Sequence, residues 1–176
     1  LNRAKSHLAD YEHARGRDAL LVEARARTLL AEFDRRLALS GKGGQKDIPK
    51  DLQPLLEESR DLYRELIELR DNGATPRAAL AGTLVEAADA IGRGKPGDAI
   101  AEKYLRRALE VRPGYLGLRN LLALLLFEKA EELQKAGREA GPVRAEATKL
   151  NSEELNLHPD YQPAKALKAA GLRQNA

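Results

Sequence analysis

Apolar residues recur along most of the chain at intervals of three or four, separated by charged residues, which is the spacing of one face of an α-helix. Ala101, Leu105 and Ala108 form such a stripe, and it ends just before Pro113. Eight segments follow the pattern and are bounded by glycine, proline or capping residues. The predicted helices cover residues 2–15, 19–39, 52–70, 76–92, 99–111, 115–136, 143–157 and 161–172. Because most connections are short, we expect an all-α fold of antiparallel hairpins.

Local signals refine three of these helices. Asp18 and Asp98 stand before apolar runs and are predicted N-caps, since a carboxylate accepts the free backbone N–H groups of a first turn. Thr75 is a further predicted cap, with Pro76 suited to the first turn. Within residues 19–39 we expect a core-facing stripe of Leu20, Ala24, Leu30, Phe33 and Leu37.

A proline junction occurs twice in the chain. Residues 112–119 read Arg-Pro-Gly-Tyr-Leu-Gly-Leu-Arg, and residues 158–165 read His-Pro-Asp-Tyr-Gln-Pro-Ala-Lys. Proline, tyrosine, an apolar residue and a base recur at matching offsets, 46 residues apart. Proline ends a helix because it lacks the N–H and clashes with the preceding turn. A period of this size is typical of helical repeat proteins.

The spacing Ala–x3–Leu–x2–Ala–x4–Pro over residues 101–113 resembles the second helix of a tetratricopeptide repeat (TPR). The resemblance extends over roughly residues 82–172, with a period longer than the ~34 residues of that family. It implies an α-solenoid of about eight helices that displays a concave surface to a protein or peptide. The alternative is an ordinary helical bundle in which one proline junction recurs.

Composition supports helix and sets limits on chemistry. The 176 residues are rich in leucine and alanine, which favour helix. We predict one helical-repeat domain over 1–176, with an N-terminal hairpin (1–41), a flexible loop (42–50) and TPR-like hairpins (51–176). The loop is rich in glycine and lysine, but it lacks the spacing of a phosphate-binding loop. No apolar run is long enough to span a membrane, and the compartment stays open.

No constellation for catalysis or metal binding stands out. Cysteine is absent, and the three histidines do not cluster in sequence. His158 follows Glu154 by four residues, so the two can share a helix face, but a metal site needs further ligands. The acidic pairs point to different sides of their helices, and the serines have no triad around them. We therefore expect no catalytic residue, no metal and no cofactor.

The resemblance implies that the first helix of each hairpin lines the partner-binding groove. Carried over through the two proline junctions, it assigns this surface to Glu86, Arg93, Asn120, Leu124 and Phe127, with Glu128 beside them. Asn120 stands out because such grooves use asparagine to hold a peptide backbone, and on this reading it is exposed. Plain core packing is the competing interpretation of Leu124 and Phe127.

The expected function is a non-catalytic protein–protein interaction or scaffold module. Two alternatives belong to other classes. A nucleic-acid-binding domain would use Lys42, Lys46 and Lys50, although 30 bases and 27 acids, net charge +3, are interleaved rather than arranged in a one-sign stripe. A self-assembly module would stack the open ends of the solenoid.

Overall fold

The computed structural model describes residues 18–40, 48–71, 75–93, 95 and 97–174, with no side chains described from 171 onwards. This part of the chain consists of α-helices joined by short connections and contains no strand, which confirms the all-α prediction. The predicted helix at 2–15 lies outside the described residues. The seven described helices are α1 (Ala19–Leu39), α2 (Gln53–Asp71), α3 (Arg77–Gly92), α4 (Ala99–Val111), α5 (Leu118–Lys135), α6 (Gly141–Leu157) and α7 (Gln162–Gln174).

The predicted N-caps Asp18 and Asp98 are confirmed. The Asp18 carboxylate accepts the Leu21 N–H at 2.9 Å. The Asp98 carboxylate accepts the N–H groups of Ile100 and Ala101 at 2.8 and 3.1 Å. The prediction for Thr75 is wrong, because Pro76 occupies the N-cap position of α3 and no side chain caps that helix.

The chain divides into two compact units, residues 1–94 and 95–176, each described here by itself. The first unit packs α1 on α2 and α2 on α3. Ser59 of α2 donates to the carbonyl of Ala26, and Phe33 further along α1 packs on Leu52 and Leu56. Residues later in α1 therefore contact residues nearer the start of α2, so these two helices are antiparallel. The prediction that residues 1–176 form one repeat domain stays a prediction.

The buried face of α1 differs from the predicted stripe. Phe33 is fully buried as expected, and Leu30 and Leu37 pack against its cluster, but Leu20 is 73% exposed. The core side consists of Leu21, Val22, Ala26, Leu29 and Phe33. Leucines occur in adjacent pairs at 20–21 and 29–30, so the apolar pattern alone leaves the rotation of the helix ambiguous by one residue. Packing against α2 determines which leucine of each pair is buried.

Only the end of the predicted flexible loop is described. Residues 42–47 lie outside the described part of the chain. Ile48 packs against the cluster of Phe33, Leu52 and Leu56. The backbone N–H groups of Leu52 and Gln53 then bond to the carbonyl of Pro49 at 2.9 and 3.2 Å. From Ile48 onwards the chain is therefore packed and hydrogen-bonded within the first unit.

A buried arginine closes the end of α3. Arg60, 3% exposed, donates to the carbonyls of Ala90, Ile91 and Arg93 at 3.0–3.2 Å. These carbonyls lie at the helix C-terminus, where the helix dipole favours a cation. Arg60 also pairs with Glu57 at 2.5 Å. The Arg60 guanidinium of α2 thus bonds to carbonyls at the end of α3 that have no N–H partner within that helix.

The second unit packs α4 on α5, α5 on α6 and α6 on α7, and α5 also contacts α7. Ala101, Leu105 and Ala108 are buried, as their spacing predicts. Arg106 of α4 reaches Glu146 of α6 at 2.7 Å. Neighbouring helices pack in succession, and alternate helices also meet, an arrangement compatible with a helical repeat.

The two proline junctions share one backbone conformation. Arg112 has φ −145° and ψ 80°, and His158 has φ −135° and ψ 75°. Each residue donates its N–H to the carbonyl four residues back, at 2.9 and 2.8 Å. Each tyrosine N–H, of Tyr115 and Tyr161, then bonds at 3.1 Å to the carbonyl three residues back. The sequence period of 46 residues is therefore also a structural repeat of these turns.

Gly117, in the first junction, contacts Glu154 and Tyr161 on either side of Pro159, the proline of the second. Its φ of +78° lies in the left-handed region, and its N–H donates at 2.9 Å to the Glu154 carboxylate of α6. A Cβ at this position would collide with the Tyr161 hydroxyl oxygen. Glu154 is fully buried and stands one period after Ala108, so a carboxylate occupies here the place of a small residue. We call these three residues, Gly117, Glu154 and Tyr161, the junction clasp.

Gly117→Ala is expected to destabilise the protein by at least about 2 kcal/mol. Left-handed backbone costs an L-residue ~1–2 kcal/mol, and the clash with Tyr161 adds to that cost. Gly114→Ala is the matched control, since Gly114 has open space around its Cβ position and no positive φ. Urea unfolding followed by circular dichroism measures both changes. Equal losses in the two variants would contradict the clasp.

Candidate interaction surface

Glu86, the first predicted groove residue, lies in an ion-pair network of the first unit. Its carboxylate accepts from Arg27 Nε at 3.0 Å and from the Tyr63 hydroxyl at 3.2 Å. Burial, followed by the charge of Glu86, raises the pKa of Tyr63 well above its ordinary value. Because Arg27, Tyr63 and Glu86 belong to α1, α2 and α3, this carboxylate connects all three helices.

Arg93 is likewise paired inside the first unit. Its guanidinium contacts Asp34 and pairs with Asp89 at 2.6 Å. It also stands 5.9 Å from the centre of the Phe33 ring, within cation–π range. Glu86 and Arg93 therefore both have protein partners, and their role in partner binding stays a prediction.

Asn120 is not an exposed groove residue, so that expectation is wrong. It is 1% exposed, and its Nδ2 donates to Asn151 Oδ1 at 3.0 Å. Asn151 Nδ2 in turn donates to the Ala164 carbonyl at 2.9 Å. A buried side-chain amide is stable only when its polar atoms are hydrogen-bonded. Here these bonds connect α5 to α6 and α6 to α7, which is why Asn120 is turned inwards.

Phe127 and Leu124 have different environments on α5. Phe127 is partly buried, whereas Leu124 is 40% exposed. Core packing therefore accounts for much of Phe127 but not for Leu124. Of the predicted apolar groove residues, Leu124 has the larger exposed surface available to a partner.

The structure adds Leu121 to the exposed side of α5. Leu121 and Leu124 are each 40% exposed and lie three residues apart, so they are neighbours on the helix surface. The other exposed large apolar residues lie near helix ends or in a junction: Leu20, Leu39, Leu69, Ile100, Leu116 and Leu157. Among the described residues, Leu121 and Leu124 are thus the two exposed large apolar residues that neighbour each other on one helix, in its first two turns.

The same side of α5 becomes acidic after Leu124. Glu128 and Glu131 continue the spacing of three to four residues, so Leu121, Leu124, Glu128 and Glu131 form one stripe, which we call the α5 face. Burial raises the pKa of Glu128 above its ordinary value, and the neighbouring Glu131 raises it further, against a hydrogen bond from the Gly97 N–H. Two like charges therefore share this end of the face.

A shallow concavity beside α4 is lined by charges that are mostly paired. Its volume is about 540 Å³, and Glu102, Arg106 and Lys129 line it. Lys129 and Arg106 each reach Glu102, at 2.6 and 2.8 Å. Burial opposes ionisation of Glu102, but these hydrogen bonds outweigh it and hold its pKa below the ordinary value. The contacts give this concavity a structural role.

His158 and Glu154 come together as their spacing predicts. His158 Nε2 lies 3.8 Å from Glu154 Oε1, at the C-terminal end of α6. Glu154 Oε2 is buried without a hydrogen-bond partner. Among the described residues, no group of three or more histidine or acidic side chains could hold a metal ion. Lys42 and Lys46, the lysines of the nucleic-acid alternative, lie outside those residues, and Lys50 is exposed.

Asn120→Ala is expected to destabilise the protein by ~1–3 kcal/mol, because it leaves the buried Asn151 carbonyl oxygen without its donor. Leu124→Ala, on the exposed side of the same helix, should change the stability by less than ~0.5 kcal/mol. Thermal and urea unfolding compare the two. A loss confined to Leu124→Ala would mean that the rotation of α5 is wrong.

Glu128→Gln is expected to improve stability at neutral pH relative to acidic pH. A carboxyl whose pKa is raised on folding binds more protons in the folded state, so wild-type stability falls as pH rises from the ordinary value through the raised one. Glutamine has no such titration and keeps an acceptor for the Gly97 N–H. The difference in unfolding free energy between variant and wild type, measured from pH 4 to 8, should grow with pH. A difference that shrinks with pH would contradict the raised pKa.

Comparisons with protein families, with characterised proteins and with solved structures find no match to this chain. Within the described ranges, no helix is both long and apolar enough to cross a membrane.

Proposed function

We propose that the protein is a non-catalytic interaction module of the TPR-like helical-repeat kind, and that it binds a partner protein on the α5 face. The observation that carries this proposal is the exposed pair Leu121 and Leu124, which are neighbours on the surface of α5. Exposed leucines scattered singly need no explanation, but adjacent ones expose apolar surface that association would remove from water.

The repeat geometry supports this choice of surface. The junctions at Pro113 and Pro159 have the same backbone turns, and α5 follows the first of them. In the TPR-like register α5 is the first helix of its hairpin, the helix that faces the partner in that family. The register drawn from sequence therefore selects the helix that carries the exposed leucines.

The residues beneath the surface make it rigid. Asn120 anchors α5 to α6 through Asn151, and Gly117 anchors its N-terminal end through Glu154. A preformed surface binds with less loss of conformational entropy than one that must be ordered on binding. Asn120 thus supports the binding surface without touching the partner.

The α5 face also carries two like charges. Glu128 is exposed, and desolvation together with the nearby Glu131 raises its pKa against the hydrogen bond from the Gly97 N–H. A cation supplied by a partner would offset the repulsion between the two carboxylates. Glu128 and Glu131 therefore support the same surface as the two leucines.

The test combines capture of a partner with direct binding. Proteins cross-linked to the wild-type chain are identified, purified singly and titrated by calorimetry against Leu121→Gln/Leu124→Gln. We expect affinity to fall about tenfold or more, since the loss of buried apolar contact from two leucines exceeds the ~1.4 kcal/mol that corresponds to tenfold.

Leu157→Gln is the matched control, because Leu157 is 53% exposed at the end of α6 and should leave affinity within about twofold. Equal affinities for the wild type and the double variant would contradict the proposal. Steeply salt-dependent binding to generic DNA would favour the nucleic-acid alternative. A molecular mass that rises with concentration in light scattering would favour self-assembly.

A further inference from the structure

The α5 face has two chemically different halves. Leu121 and Leu124 lie in the first turns of the helix, and Glu128 and Glu131 occupy the next two turns on the same side. At 1.5 Å per residue the stripe is about 15 Å long. A partner that covers all of it must present apolar groups at one end and a suitable charge at the other.

The acidic half forms no ion pair with a cation of the described residues. Lys129 and Lys135, the nearest lysines in sequence, are occupied by Glu102 at 2.6 Å and Glu132 at 3.2 Å. Among the described residues, no cation is paired with Glu128 or Glu131. The chain as a whole carries a net charge of +3, so this local negative end departs from the average.

The backbone chemistry of the surface selects the shape of the partner. An extended peptide does not satisfy its own N–H and C=O groups, so it gains specific bonds where side-chain amides or a strand edge are available to pair with them. Asn120, the amide that could have held such a backbone, is buried and bonded to Asn151. The backbone N–H and C=O groups of α5 bond to each other within the helix. A helical partner satisfies its backbone internally and presents only side chains.

We infer that the α5 face takes an amphipathic helix of a partner protein, with apolar residues over Leu121 and Leu124 and lysine or arginine residues opposite Glu128 and Glu131. This inference rests on the proposed function and names the class of its partner. The apolar and basic positions of the partner helix should lie one to two turns apart, which matches the division of the α5 face.

The probe is a displayed library of 18-residue peptides with randomised positions, selected on the wild-type chain. Counter-selection on Leu121→Gln/Leu124→Gln removes peptides that bind elsewhere. We expect the enriched peptides to have apolar residues at helical spacing and at least two lysine or arginine residues towards one end. The best of them, made synthetically, should gain helical circular dichroism on binding and should bind less tightly as salt rises.

Charge variants test the acidic half directly. Glu131→Lys should weaken the selected peptide about tenfold, and Glu128→Gln/Glu131→Gln should weaken it by a smaller factor. Glu139→Lys is the matched control, since it makes the same charge change in the exposed loop before α6 and should leave affinity within about twofold. Circular dichroism of each variant confirms that it remains folded.

Three results would overturn the inference. Peptides that need the leucines but show no basic preference, and that ignore Glu131→Lys, would remove the charge recognition while the proposed function stands. Enrichment of proline-rich or extended peptides would remove the helical partner. A selection that enriches no leucine-dependent peptide would remove this partner class, and the cross-linked protein would then decide the proposed function separately.

Discussion

The second unit depends on one buried carboxylate. Glu154 accepts the N–H of Gly117 from a position with no exposed surface, and Tyr161 stands against the same glycine. Burying a carboxylate is costly unless it is hydrogen-bonded, so this bond strongly favours one alignment of the two junctions. That alignment sets the rotation of α5, and the rotation decides which of its leucines face solvent.

The two units use different polar chemistry beneath their surfaces. In the first unit, arginines reach between helices: Arg60 closes the end of α3, and Arg27 binds Glu86. In the second unit, the neutral amides of Asn120 and Asn151 join α5, α6 and α7, beside ion pairs of Arg106 with Glu146 and of Lys129 with Glu102. Neutral hydrogen bonds are screened little by salt, whereas partly exposed ion pairs weaken in it. The bonds of Asn120 and Asn151 beneath the α5 face therefore depend less on salt than the Arg27–Glu86 pair of the first unit does.

The sequence predicts the helices better than their rotation. Breaks, caps and the stripe of Ala101, Leu105 and Ala108 follow from local rules, since each depends on neighbours in the chain. Residues 121–127 are wholly apolar, so their pattern has no polar side to mark the surface. Asn120, the polar residue before this run, is then predicted to be exposed. The hydrogen bond from Asn120 to Asn151, 31 residues away, turns Asn120 towards the core instead. The residues around Asn120 in the sequence do not predict such a contact.

The two junctions share their turns but not the chemistry that follows them. The position one period after Gly117 is Pro163, in the first turn of α7. Proline has no N–H, so a carboxylate placed against it finds no backbone donor. A helix packed there has to meet α7 through a different contact from the one that Glu154 makes with Gly117. Two turns of the same conformation therefore select different side chains in the helices that pack on them.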